Sequence, residues 1–279
     1  MQKNNDDVLF FRFVLQASVE KLNMKIIWSF WEGPSSSLND ECLQSWRKNG
    51  KGWEVRILND AAFKKYVHDY NMVVPTTYDT LSATTKSDVV RLNVLYTFGG
   101  LWLDHTVLLN KPLDDWILPY ERLSYFGFRL PLKRYFESWF ILVPEPRNQY
   151  IKKWRDTLVE ILQTNPVTNH VAYSSFGVCT ESSSYFMIYQ AFCYCVSSDA
   201  AFRDVYNSIP FIQKLHFYSP FHPLHSQPGV LTKFTKHGRV VYDSLPFPCM
   251  YGIILCAVLI VLLVIMLCVK KTKKISLTN

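Results

Sequence analysis

The sequence predicts a parallel α/β domain followed by one C-terminal membrane-spanning helix. Three observations carry that expectation. Two apolar, β-rich runs each lead into a helix-forming segment within the first seventy residues, a helix–Gly-Gly–strand unit fills residues 84–112, and residues 250–269 are uncharged throughout.

The first strand is expected at residues 25–31 (KIIWSFW), ending at the turn Glu32-Gly33-Pro34. Ser35, Ser36 and Ser37 offer caps for an amphipathic helix over residues 38–47 that contains Leu43 and Trp46. Residues 53–58 alternate as a second strand, and Asn59-Asp60 caps a helix through Val67. Thr84, Thr85 or Ser87 can cap the next helix, which runs to about Phe98 with Val89, Leu92, Leu95 and Tyr96 as one stripe facing a core. Gly99-Gly100 ends it, because glycine takes up the left-handed backbone that a helix stop needs. Residues 101–109 then read as one strand, and residues 138–143 as another, closed by Pro144-Glu145-Pro146. Residues 150–162 and 185–196 read as helices. Residues 210–237, rich in proline, histidine and aromatics, read as irregular loops over a site.

Residues 250–269 (MYGIILCAVLIVLLVIMLCV) carry no charge. At ~1.5 Å per residue a helix of this length crosses a ~30 Å hydrocarbon core. A lipid bilayer is therefore an expected partner. Lys270, Lys271, Lys273 and Lys274 follow at once and favour a cytoplasmic tail, which would place the body outside or in a lumen. The N-terminus offers a poor export signal, since MQKNNDD is net acidic and Arg12 breaks the short apolar stretch after it. No Asn-X-Ser/Thr acceptor occurs. The two placements compete, and a cytosolic body on a single-pass anchor is preferred.

Those four lysines account for four of the seven net positive charges, so the remainder of the chain carries only three. With no basic run interleaved with aromatics in the body, no nucleic-acid partner is expected. The seven cysteines are odd in number and lack framework spacing. Cys193 and Cys195, two apart, suit neither a zinc knuckle nor a redox pair, and the cysteines read as packing residues.

Chemistry concentrates in the window TTKSDVVRLNVLYTFGGLWLDHTVLLNKP. Asp88 and Arg91 are three apart and project from one helix face. Asp104 and Thr106 share a face of the expected strand, and His105 points away from them. A carboxylate in so apolar a run is costly unless a cation, a donor or a solvent-filled cleft satisfies it. Ligands in open α/β sheets sit at the C-terminal ends of the strands. Each residue also has a blander reading: Trp31 as core, Asp88 and Arg91 as a cap and a surface pair, Asp114 and Asp115 as a solvated turn, His222 and His225 as loop packing. Glu137 and Glu181 are carboxylates that nothing selects.

The segment KSDVVRLNVLYTFGGLWLDHTVLL resembles the core signature of capsular polysaccharide synthesis and related sugar transferases of glycosyltransferase family 32. The resemblance extends to KIIWSFWEGP and SWRKNGKGWEVRILND upstream, and more loosely to SWFILVPEPRNQYIKKW and VLTKF downstream, covering most of residues 24–236. It implies a GT-A fold, a Rossmann-like sheet that binds a nucleotide sugar. Residues 24–240 would form that domain, after an N-terminal extension of residues 1–23. A linker (241–249), the membrane helix (250–269) and a basic tail (270–279) would follow. By the same resemblance Trp31 stacks on the nucleotide base, Asp88 and Arg91 bind the nucleoside, and Asp104 opens an Asp-X-Asp motif that holds the ribose and a divalent metal.

Here that motif reads Asp104-His105-Thr106, without the second carboxylate that normally ligates Mn²⁺ or Mg²⁺. Either Asp104 holds the ion with waters and phosphates, or Lys233, Lys236 or His237 neutralises the diphosphate instead. His105 is a further metal-ligand candidate. The expected activity is sugar transfer from a nucleoside-diphosphate sugar to a glycan or other hydroxyl acceptor, with retention implied by the resemblance and no catalytic nucleophile assigned. An inactive, membrane-tethered nucleotide- or glycan-binding protein is the alternative, and Thr106 is the feature that keeps it open. A structural membrane protein is a third reading, which leaves Asp88, Arg91 and Asp104 unexplained.

Overall fold

Strand β1 (Ile26–Phe30) is buried at every residue because it lies inside a sheet, between β2 (Glu54–Leu58) and β3 (Gly100–Leu103). The computed structural model describes residues 25–129, 135–164, 187–210, 216–217 and 230–234. Both neighbours run parallel to β1, with Ile27 opposite Val55 and Leu101, and Trp28 opposite Arg56 and Trp102. A strand covered on both faces has no use for alternation, which is why its sequence is an unbroken apolar run. β2 is the sheet edge, and its exposed Glu54 pairs with Arg56 at 2.7 Å, the charged character that blunts a free edge.

The parallel pairing expected from sequence holds for β1, β2 and β3, and the rest of the sheet is antiparallel. β6 (Phe136–Val143) joins β3 antiparallel, with Leu103 opposite Phe140 and Gly100 opposite Val143. β5 (Phe126–Arg129) adds antiparallel to β6, giving the order β2-β1-β3-β6-β5. An apolar run reports burial, not direction, so the sequence of β6 is silent on this point. β5 was missed altogether: four residues are too few to show a period.

The expected strand over residues 101–109 is two strands. β3 stops at Leu103, the chain turns through residues 104–106 with Val107 N–H donating to Asp104 O at 3.0 Å, and β4 (Val107–Leu109) enters a second sheet. That sheet has the order β4-β8-β7, with β7 at His216–Phe217 and β8 at Leu231–Lys233. Part of the segment expected as loops is thus ordered pairing, in strands too short for periodicity. The open flank of β4 is held by helix α1 (Ser37–Asn49). Trp46 Nε1 donates to Val107 O, Asn49 Nδ2 to Leu109 O, and Ser45 Oγ accepts from Leu109 N–H. Three side chains of one helix thereby satisfy backbone groups that a further strand would otherwise pair.

Ser36 caps α1, and Asn59 caps α2 (Asp60–Tyr70) as expected. Helix α3 (Ala83–Phe98) is capped two residues before the first candidate named from sequence, Thr84: Ser82 Oγ accepts from Thr85 N–H. Its buried set, Asp88 through Leu95 without a gap, is no single stripe. The helix lies between the sheet and α5 (Gln149–Gln163), so it is covered from both sides. α4 (Asp114–Ile117) forms a short helical turn between β4 and β5. α6 (Met187–Ser198) and α7 (Ala200–Ser208) pack beyond α5, with Trp154 Nε1 donating to Ile188 O at 2.8 Å.

Two further expectations change. Asp114 is not merely a solvated turn, because it accepts from Lys25 Nζ at 2.7 Å and from Trp53 Nε1 at 2.8 Å. Cys193 is disulfide-bonded, while Cys42 and Cys195 are free and buried. The chain divides between Phe234 and Thr235, and the apolar segment of residues 250–269 falls outside the described residues. Among the described residues no helix is long and apolar enough to cross a membrane.

Candidate active site

β1 ends at Phe30 and β3 at Leu103, so Trp31 and Asp104 leave the same C-terminal edge of two adjacent parallel strands. Helix α3 precedes β3 and runs back along it, so Asp88 and Arg91, in its N-terminal half, return to that edge. The Gly99-Gly100 link makes this possible. Gly100 has φ +95°, and a Cβ there would sit 2.7 Å from Ile26 O and 3.2 Å from the Trp28 indole nitrogen. Only glycine lets the start of β3 come so close to β1 directly after a helix.

Arg91 is the hub. Its Nη1 donates to Asp88 Oδ1 at 2.7 Å and its Nη2 to Asp104 Oδ1 at 2.9 Å. Its guanidinium lies 4.8 Å from the Trp102 ring centroid, and Trp102 Nε1 donates to the same Asp104 oxygen at 3.0 Å. The second oxygen, Oδ2, accepts from Lys233 Nζ at 2.6 Å, and Lys233 also donates to Thr106 Oγ1 at 3.0 Å. Backbone pairing delivers Lys233: it stands opposite Val107 in the β4–β8 ladder, and Phe234 N–H donates to Thr106 O. Asp104 and Thr106 thus do meet, through the Lys233 ammonium and a turn, and not by strand alternation.

The two carboxylates titrate in opposite directions. Burial pushes the Asp88 carboxyl up to about 7; Arg91 opposes this and Asp104 adds to it. Burial acts the same way on Asp104, but the charges of Lys233 and Arg91 outweigh it and hold that carboxyl well below the usual carboxylate range. Asp104 therefore stays charged. Its side chain is 26% exposed, against 14% for Lys233, 8% for Asp88 and 4% for Arg91, so it is the most exposed member of the network.

Trp31 is half-buried, and its Nε1 donates to Pro34 O at 3.2 Å. The His105 ring stacks on the indole with centroids 5.2 Å apart and planes 24° apart, and Trp46 meets His105 edge-on. One face of Trp31 is therefore backed by an imidazole. Burial lowers the His105 pKa against the pull of Asp40 and Asp104, and Asn39 Nδ2 donates to its backbone carbonyl. The turn sends His105 to Trp31 and away from the Asp104 oxygens. Among the described residues no group of three His, Cys, Asp or Glu could hold a metal ion.

Sequence reasoning missed Trp102, Ser138 and Tyr189. Trp102 had a legible signal, since it lies two residues before Asp104 in one apolar run. Tyr189 had none: it reaches the site from α6, where its hydroxyl accepts from Ser138 Oγ at 2.9 Å. Glu137 is buried and accepts from Trp139 Nε1 at 3.0 Å, and Trp139 O in turn accepts from Asp104 N–H. Lys236, His237, Glu181, His222 and His225 lie outside the described residues.

A family model described as capsular polysaccharide synthesis protein matches residues 3–221. No curated protein matches the chain. Among solved structures, one titled PaToxG Glycosyltransferase is 16% identical, covers 70% of this chain and 81% of its own, and superposes with a TM-score of 0.39.

Proposed function

Because the chain belongs to the capsular polysaccharide synthesis protein family, we propose that it is a glycosyltransferase moving a sugar from a nucleoside-diphosphate donor to a hydroxyl of a glycan acceptor. The observation that carries this reading is the cluster of Asp88, Arg91, Asp104 and Lys233 at the C-terminal edge of β1 and β3, beside Trp31. Placing two carboxylates and two cations together under cover is a poor way to gain stability, since desolvation offsets most of their attraction. A binding task gives the chain a reason to keep them. The edge of parallel strands from which Trp31 and Asp104 emerge is where open α/β sheets present ligands, and we assign the domain to the GT-A class on that basis.

In this reading the open part of Trp31 offers a ring face to the base, while Asp88 and Arg91 face the nucleoside. Asp104, the charged and partly exposed carboxylate, accepts from the ribose hydroxyls. Lys233 lies toward the diphosphate. Sugar transfer needs the leaving diphosphate stabilised and the acceptor oriented, so fixed charges and positioning carry the chemistry. Transfer is assigned with retention at the anomeric carbon. Residues 250–269 anchor the chain to a lipid bilayer by a single pass. The disulfide at Cys193 and the lysines after the apolar segment favour a body outside the cytosol over the cytosolic placement expected from sequence.

The test is release of nucleotide from a panel of nucleotide sugars by the full chain in detergent, beside Asp104→Asn. Release that the substitution lowers at least a hundredfold supports the transferase. Donor binding without release from any sugar in any condition would move the assignment to an inactive binding protein.

A further inference from the structure

The divalent ion that an Asp-X-Asp motif would hold does not fit the residues present here. A hard cation such as Mn²⁺ or Mg²⁺ requires anionic or carbonyl oxygens turned toward it. Of the motif side chains, Asp104 has Oδ1 engaged by Arg91 Nη2 and Trp102 Nε1, and Oδ2 by Lys233 Nζ. The third motif position is a neutral hydroxyl, and that hydroxyl also accepts from Lys233. The middle one, His105, stacks on Trp31. A divalent ion approaching Asp104 and Thr106 would meet an ammonium already bridging them, with a guanidinium behind it, and like charges at such distances repel strongly away from bulk water.

We propose that the Lys233 ammonium is this site's resident cation, taking the place of the divalent metal between Asp104 and Thr106 and binding the donor's diphosphate without a metal ion. The inference rests on the transferase reading above and names how that site neutralises its ligand. Three features carry it. The ammonium bridges the two motif side chains at 2.6 and 3.0 Å, the geometry of an inserted cation and not of a surface pair. It is held there by its backbone, since the β4–β8 ladder fixes Lys233 opposite Val107, just beyond the Asp104–Thr106 turn. Its side chain is 14% exposed, so it is shielded from bulk water without being sealed from it. A lysine presents a compact charge with several donors, which suits phosphate oxygens whose orientation varies. Thr106 follows from the same arrangement: a second carboxylate is unnecessary where the cation is covalently part of the chain, and a hydroxyl orients it without adding charge.

Calorimetric titration of the full chain in detergent with UDP, GDP and ADP, each in EDTA and in Mn²⁺, tests this. A nucleotide that binds should do so within about twofold in the two conditions, and Lys233→Met should weaken it at least tenfold in both. Binding seen only with Mn²⁺, or unchanged in Lys233→Met, would overturn the inference while leaving the transferase reading intact. If none of the three binds in either condition, the transferase reading falls and this inference with it. To separate loss of binding from loss of the fold, Mn²⁺ alone is titrated against the wild type and the double substitution Thr106→Asp/Lys233→Met, with the electron spin resonance signal of free Mn²⁺ as readout. The double substitution should take up one Mn²⁺ that the wild type does not. Stoichiometric uptake by the wild type that Asp104→Asn abolishes would show an ion at Asp104 and sink the proposal.

Discussion

At Arg91 one guanidinium serves two carboxylates, and that asymmetry sets the pH behaviour of the site. Asp104 has Lys233 as a second cation and keeps its charge; Asp88, deeper and with Arg91 alone, is pushed up to about 7. Between about pH 4 and 7 native Asp88 holds a proton that the unfolded chain has released, so stability falls as pH rises through that window. Asp104 acts with the opposite sign: its contribution is present above its unfolded value and is lost as pH falls below it. Thermal melts at pH 5 and pH 8 should therefore show the wild type losing ground relative to Asp88→Asn, which lacks the titration; parallel profiles would mean that Asp88 titrates like an exposed carboxyl. Replacing the hub is harsher. Arg91→Met leaves two carboxylates facing each other without their shared cation, and urea melts should register a loss of about 3–5 kcal/mol. At Trp31 the expected split is functional: Trp31→Ala should weaken nucleotide binding at least tenfold with the melting temperature nearly unchanged, and Trp31→Phe should recover part of it, since base stacking on an aromatic contributes roughly 1–3 kcal/mol.

The helix–Gly-Gly–strand unit is the element that turns sequence order into a site. Gly99 and Gly100 both have positive φ, and a Cβ on Gly99 would lie 2.9 Å from Val143 O. Gly99→Ala adds that clash to a strained backbone and should cost about 1–3 kcal/mol in a denaturant melt; a change of a few tenths would mean that β6 gives way. The same unit marks how far the sequence could be read. Asp88, Arg91 and Asp104 were legible because a helix, a double glycine and a strand end follow each other within twenty residues, so local spacing alone brings their side chains to one edge. Lys233 appeared only as one of three candidate cations. It lies 129 residues from Asp104, and its approach depends on a three-residue strand pairing with another three-residue strand, a contact with no local signature. The break at residues 104–106 was hidden for a related reason. An apolar run continues through it, and only the second sheet requires the chain to turn there. His105, expected to point away from Asp104 and weighed as a metal ligand, instead backs the ring of Trp31.

For the molecule as a whole, the proposal left to test is the membrane anchor at residues 250–269, with the body on the side away from the cytosol. The lysines at 270, 271, 273 and 274 bind that choice to the apolar segment, because basic flanks stay on the cytoplasmic side. On the proposed single pass the body would lie opposite the tail. The Cys193 disulfide points the same way, since thiols in the cytosol are kept reduced. The chain lacks any Asn-X-Ser/Thr acceptor of its own, so a reporter can be introduced cleanly. Asn71, at the end of α2, is exposed, and Val73 two residues on is 41% exposed, with its backbone N–H donating to Asn93 Oδ1. Val73→Thr leaves that backbone bond in place and completes an acceptor at Asn71. Translated into microsomes, the full chain carrying Val73→Thr should gain an endoglycosidase-sensitive increase in mass, and the wild type should show none. An unmodified Val73→Thr chain that stays sensitive to added protease would put the body in the cytosol. The disulfide would then have to form against a reducing poise, and the two placements weighed from sequence would resolve toward the tail-anchored one.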